Sequence, residues 1–281
     1  MLTKKSTRCG PQGLLGKWFK RLPGCVLATL LGVLSFSGVA EAVGIHYEPA
    51  PWYSSAIYDT LLSLETGVSY AEADTHDTVY FPLVLSTVHR GPVQFSGRWS
   101  YISMRGDSGH RSDFGDLKIY GRYRIPVFKD STDTQRPQLW VESSARIGLS
   151  KPELFPFATG GQDIEFMGVV GFPRLAQALL GVGRIWSEPP SGTFLSSLDV
   201  PHSTHVFLQG RVVHGRYDFQ VRGDAFIYEI KNVSRGVFVG GITRRSVQGF
   251  HVTLEYSFET STANERIFNH LLSLRFATRL R

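Results

Sequence analysis

The sequence predicts an all-β protein: a transmembrane, antiparallel, up-and-down β-barrel of twelve strands. Three observations predict it. Twelve segments of about 9–12 residues read as strands, ten of them with apolar and polar side chains alternating at period two. Short turns alternate with longer polar loops between them. An export leader precedes the first segment, and no cysteine follows it.

The leader comes first. "MLTKKSTRCGPQGLLGKWFKR" carries Lys4, Lys5, Arg8, Lys17, Lys20 and Arg21, and the apolar run Cys25 to Phe36 follows. Ala40-Glu41-Ala42 closes it as a small-x-small site. A basic region, a short apolar run and such a site make a secretory signal peptide, cleaved after Ala42. The run is too short to span a bilayer as a helix. An N-terminal anchor helix is the alternative. With the six basic residues and Glu41 gone, the net charge falls from +6 to about +1. The basic balance of the whole chain is therefore no argument for nucleic acid. Cys9 and Cys25 leave with the leader, so thiolate chemistry and disulfide staples are excluded from the mature chain. Residues 43–60, with Trp52, Tyr53, Pro49 and Pro51, are expected as a periplasmic or lumen-plugging segment before the barrel of residues 61–281.

The strands then follow in order. "LSLETGVSY" sets Leu62, Leu64, Thr66, Val68 and Tyr70 against Ser63, Glu65, Gly67 and Ser69. "TVYFPLVLST" gives Val79, Phe81, Leu83 and Leu85. "VQFSGRWSY" sets Val93, Phe95, Trp99 and Tyr101 against Gln94, Ser96, Arg98 and Ser100. "GDLKIYGRYRIPV" has a greasy face of Leu117, Ile119, Tyr123 and Ile125, and an opposite face carrying Lys118, Arg122 and Arg124. "LWVESSARIGL" and "DIEFMGVVGF" alternate likewise, with Glu142, Arg146 and Glu165 on the polar side. "AQALLGVGRIW" is apolar on both faces and leaves its phase open, as does "GVFVGGITR". "HVFLQGRVV" and "YDFQVRGDAFIY" place Arg211, Asp218, Arg222 and Asp224 on the polar face. "FHVTLEYSF" and "HLLSLRFA" add His251, Glu255 and Arg275.

A tilted strand of about 9–11 residues spans a bilayer, whereas strands of soluble sheets centre near 5–6. In lipid every backbone group needs a partner, so an all-strand membrane protein must close into a barrel. The greasy faces then meet lipid and the charged faces meet a wet lumen. Trp99, Tyr101, Tyr217, Phe250, Phe258 and Phe276 sit near strand ends, as interfacial girdles require. The segment "MRGDSGHRSDFG" (104–115) is expected as an outside loop, and "VFKDSTDTQRP" as a long periplasmic exception. A secreted β-sandwich is the alternative fold.

The lumen-lining set for transport is thus Arg98, Lys118, Arg122, Arg124, Glu142, Arg146, Glu165, Arg211, Asp218, Arg222, Asp224, Glu255 and Arg275. Bases outnumber acids in it, which favours a passive channel for small solutes with a weak anion or polar-solute bias. Two readings stay open beside it. One is a structural barrel whose charges only pair. The other is an outer-membrane lipid hydrolase, for which "PHSTHV" (201–206) offers Ser203 beside two histidines. No G-x-S-x-G or H-E-x-x-H pattern supports catalysis, and no cofactor or metal is expected. "RGD" at 222–224 reads as a cross-pore ion pair.

The stretches "FGDLKIYGRYRIP" (114–126), the strand at 139–149 and "ATGGQDIEFMGVVGF" (158–172) carry a resemblance. They are similar to motifs of the bacterial outer-membrane transporter family named for the MetA pathway of phenol degradation, and of related uncharacterised outer-membrane barrels. The family's lysine in the first motif is Arg122 here, and its Pro-Thr-Gly is Ala158-Thr159-Gly160. The final residue is Arg281, where many outer-membrane barrels end in an aromatic. The resemblance implies the outer membrane of a Gram-negative bacterium and a transport role. It supplies no catalytic residues. The partners expected are outer-membrane lipid, a small-molecule solute and the barrel-assembly machinery, with no nucleic acid.

Overall fold

The computed structural model describes residues 62–74, 76–88, 93–106, 109–126, 137–150, 154, 160–172, 178–188, 202–229, 234–246, 250–262, 266 and 268–279. The leader, its cleavage site and the segment 43–60 lie outside these residues. The strands are β1 Leu62–Glu72, β2 His76–Val88, β3 Val93–Gly106, β4 Gly109–Phe114, β5 Leu117–Ile125 and β6 Gln138–Ile147. There follow β7 Gln162–Phe172, β8 Ala178–Glu188, β9 Ser203–His214 and β10 Tyr217–Tyr228. The last are β11 Ser234–Arg245, β12 Phe250–Ser261 and β13 His270–Arg279.

Each strand pairs antiparallel with its neighbour, and β1 pairs with β13 from Ser63↔Arg279 to Glu72↔His270. That pairing and the one between β2 and β3 close the sheet into a twelve-stranded barrel. The strand beyond twelve is β4. Its residues continue the line of β5 and pair with the upper part of β3, from Tyr101↔Phe114 to Gly106↔Gly109. The segment expected as an irregular loop is therefore a hairpin extension of the wall. Gly109, at φ 104°, starts it in a backbone region that few other residues adopt. Phe114 ends it, stacked 4.5 Å from Trp99 and edge-on to Tyr101 at 5.4 Å. "GHRSDF" lacks an apolar face, so periodicity does not reveal the strand; the hairpin partner makes it.

Both ends of the barrel chain lie on one rim, with the turns after β2, β5, β7, β9 and β11. The β9–β10 turn is only Gly215-Arg216, with Gly215 at φ 59°. The other rim carries long connections at 148–161, 189–202 and 262–269. It also carries the short ones at 73–75 and 229–233, so the asymmetry of the two rims is partial.

Side chains alternate across the wall as the pleat requires. Leu83, Phe95, Ile119, Phe166, Val182, Val221, Leu254 and Leu272 are all exposed on the outside. The two strands without a legible phase resolve by their glycines. On β8 the outer residues are Leu180, Val182, Arg184 and Trp186, and the inner ones Leu179, Gly181, Gly183, Ile185 and Ser187. A Cβ on Gly181 would lie 2.1 Å from the Phe207 ring, so glycine here makes room for a neighbour's side chain. On β11, Val237, Val239, Gly241 and Thr243 face in.

Candidate functional site: the charged lining of the barrel

The inner face is built by the polar half of each alternation. Arg98, Arg122, Glu142, Arg146, Arg211, Asp218, Arg222, Asp224, Glu255 and Arg275 are each under a tenth exposed. Lys118, Arg124 and Glu165 are half-buried. All sit on the inward side of their strands. Most are packed against one another, because a buried charge is costly unless it is paired.

From β9 round to β1 the pairing is dense. Arg211 Nε donates to Asp218 at 2.7 Å, and Arg245 reaches the same carboxylate at 2.9 Å. Arg235 bonds Glu259 through Nε at 2.7 Å and Nη2 at 2.8 Å. Arg275 bridges Glu255 at 2.5 Å and Glu65 at 3.2 Å, tying three strands. Arg222 and Asp224 pair at 2.5 Å along one strand, so this ion pair does not cross the pore. His205 sits between carboxylates, with Nδ1 2.5 Å from Glu165 and Nε2 2.8 Å from Asp224. Phe226 stacks on its ring at 4.3 Å, and Arg222 lies 4.2 Å over Phe207.

The sector of β3, β5 and β6 is different. Arg98 and Lys118 are direct cross-strand partners, a like-charged juxtaposition that by itself destabilises a sheet. Arg122 and Arg124 continue the same inner face of β5. Glu142 is 3.2 Å from Arg122, whose guanidinium also lies 4.2 Å over Trp140. Beyond them Arg146 meets Asp163 at 2.6 Å and Asp116 at 3.8 Å.

Two apolar clusters share the interior. Met167, Val169, Leu179 and Phe207 pack together with Trp140 against them. Toward the long-loop rim, Ala71, Tyr80, Ile102, Met104, Ile185, Phe226, Tyr228, Val237, Val239 and Leu271 join Leu154 and Phe268 from two loops. Side chains from seven strands therefore converge inside the barrel. Twelve strands enclose more space than eight, whose side chains just fill the interior. Here the clusters narrow it again.

The sequence-derived set misses Glu65, Asp116, Asp163, His205, Arg235, Arg245 and Glu259. Glu65 and Asp163 were legible as polar positions in alternating strands. His205 also alternates inward with Gln209 and Arg211. Arg235 and Glu259 lie at strand ends beyond the alternating cores. With these included, the basic excess over the whole lining narrows, and the cationic character is concentrated in the β3–β5 sector.

In "PHSTHV", His202, Ser203, Thr204, His205 and Val206 are described. Ser203 is fully buried and faces in, as does His205. Both ring nitrogens of His205 face carboxylate acceptors, so neither is left to activate a hydroxyl. His202 Nδ1 accepts from the Ser187 backbone N–H at 3.3 Å. Among the described residues no group of three or more metal-binding side chains is placed to hold an ion.

No known protein family and no curated protein matches the sequence. Solved structures do share the fold. An outer membrane channel from Pseudomonas putida F1, of the COG4313 group, superposes with a TM-score of 0.61 at 12% identity, covering 82% of this chain and 99% of that one. The NanC porin superposes with a TM-score of 0.50 at 9% identity, covering 78% and 99%.

Proposed function

We propose that the protein is a passive channel in the outer membrane of a Gram-negative bacterium, passing small polar solutes with a weak preference for anions. The leader, removed after Ala42, delivers it to the periplasm, and the barrel-assembly machinery inserts it among outer-membrane lipids. The two solved structures that share its fold are named as a channel and a porin, which supports the reading. Kinship with the MetA-pathway transporter family is part of the same proposal.

One observation carries the anion preference. The inward side chains that keep partial exposure include Lys118, Arg124, Trp140, Ser144 and Glu165 on β5, β6 and β7. Glu165 is engaged by His205 and by Ser144 at 3.2 Å, and Lys118 lies within reach of its charge, so this group holds two cations, Lys118 and Arg124, to one anion. Cations lining a narrow passage lower the barrier for anions and raise it for other cations. Arg98 and Arg122, on the same face, add to the field.

Planar-bilayer recording of the purified barrel tests this. Steady conductance is expected, with a reversal potential under a salt gradient on the anion-selective side. Lys118→Gln plus Arg124→Gln should move it toward cations while conductance persists. A silent bilayer from protein shown to be folded by heat-modifiable gel mobility overturns the channel. A reversal potential unmoved by the double substitution overturns the assignment of selectivity to β5.

A further inference from the structure

One inward histidine has a carboxylate against each of its ring nitrogens. The alternation of β9 puts His205 on the inner face between Ser203 and Phe207. Its Nδ1 lies 2.5 Å from Glu165 on β7, and its Nε2 lies 2.8 Å from Asp224 on β10. Phe226 stacks on the ring at 4.3 Å and Phe207 tilts against it at 6.1 Å, which holds the ring in that plane. An ionised carboxylate only accepts, and a neutral imidazole has a single N–H. With both acids ionised, both contacts are hydrogen bonds only when His205 carries a proton on each nitrogen.

The two carboxylates are unequally supported. Asp224 also accepts from Arg222, through Nε at 2.7 Å and Nη2 at 2.5 Å. Glu165 accepts from Ser144 Oγ at 3.2 Å, with the charge of Lys118 in reach. The Glu165 side chain is 20% exposed and that of Asp224 0%, so Glu165 is the acid that borders the passage. The charged groups about the ring are thus Glu165 and Lys118 toward β7 and β5, and Asp224 and Arg222 on β10. Gly183 of β8 faces the ring without a side chain. The Arg146–Asp163 pair follows one inward step nearer the long-loop rim.

While His205 is charged, Glu165 is compensated in contact, and Lys118 and Arg124 set the sign of the passage. Loss of one proton leaves a ring lone pair facing a carboxylate. Asp224 keeps Arg222 whichever nitrogen holds the remaining proton. Glu165 loses its cation in contact, and its charge then acts against Lys118 and Arg124. We infer that His205 is a specificity-determining residue whose proton sets the anion preference of the channel. Anions are favoured while the ring is charged, and the preference falls when it is neutral. Histidine suits the task, since it is the side chain whose charge ordinarily changes near neutral pH. This inference rests on the channel reading and assigns its regulation.

Planar-bilayer recording of the full-length protein under a potassium chloride gradient tests it. The pH is raised from about 5, above the ordinary carboxylate range, to about 9, below the ordinary lysine range. The anion-to-cation permeability ratio should fall about fivefold, the effect of one unit charge roughly 4 Å away in water. His205→Gln should show the low, alkaline ratio at every pH. Glu165→Gln should stay anion-selective at every pH, because it removes the charge that His205 masks; it decides the matter if His205→Gln does not fold. Nitrogen-15 NMR of the barrel in detergent reads the proton itself. At the acid end both ring nitrogens of His205 should be protonated, and a neutral ring there overturns the inference without recourse to conductance. A silent bilayer removes the channel and the selectivity role with it. An anion-selective current whose ratio ignores pH, or a pH step that survives His205→Gln or Glu165→Gln, removes the role of His205 and leaves the channel.

Discussion

The lining from β9 to β1 and the lining of β3 and β5 are made of the same residue types but do different physical work. In the first, Arg211, Arg222, Arg235 and Arg275 each hold a carboxylate at hydrogen-bond distance, and His205 joins Glu165 to Asp224. Cations and anions cancel there, and the network ties neighbouring strands. In the second, Arg98 faces Lys118 across the pair and Arg122 and Arg124 follow on the same face, with Glu142 3.2 Å from Arg122. A sheet gains nothing from stacking like charges.

The sharpest way to break the comparison is to unpair the first sector. Asp224→Ala removes an acceptor from both His205 and Arg222, leaving buried charge uncompensated. The expected loss is about 3–5 kcal/mol, read by urea unfolding of the barrel in lipid vesicles. A loss near zero would show that this sector, too, is not structural. Leu254→Arg puts a charge on the lipid side of β12 and should cost about 2–4 kcal/mol if residue 254 sits near the midplane. The same unfolding assay measures it, and tolerance of arginine there would reject the lipid-facing phase of β12.

Gly181→Ala sets a methyl against Phe207, whose ring carries Arg222. Because the ring can shift, the cost is smaller, roughly 1–3 kcal/mol. The loss should shrink when Phe207→Leu is added, a rescue that unfolding of the double variant would reveal. The smallest effect on stability belongs to the second sector. Lys118→Gln relieves the juxtaposition with Arg98 and should change stability by less than about 1 kcal/mol in either direction. Its effect should appear instead in ion selectivity. A large stability loss with unchanged selectivity would reverse the roles assigned to the two sectors.

The barrel was legible because lipid and water on opposite sides of one wall enforce a strict period of two. Strands such as Leu117–Ile125 and Phe250–Ser261 carry that period plainly. Ala178–Glu188 does not, since Gly181 and Gly183 face inward to admit Phe207 and its neighbours, and Arg184 faces outward near the rim, paired with Glu229. Ser234–Arg245 hides its phase in the same way, with Gly241 close to Gln220 inside and Arg244 exposed outside. The hairpin strand Gly109–Phe114 has no periodicity to read; its place is set by pairing with β3 and by the packing of Phe114 on Trp99.

The sequence by itself determined the closed transmembrane barrel, its strand count and the side of the wall on which Arg98, Lys118, Arg122 and Arg275 fall, because alternation is a local property of the chain. Which of those charges are neutralised was decided only in the tertiary structure. Arg275 and Glu65 are 210 residues apart, and Glu165 and His205 lie on strands separated by β8. Pairing depends on register between strands and on reach across them. Neither is written in the period of any single strand.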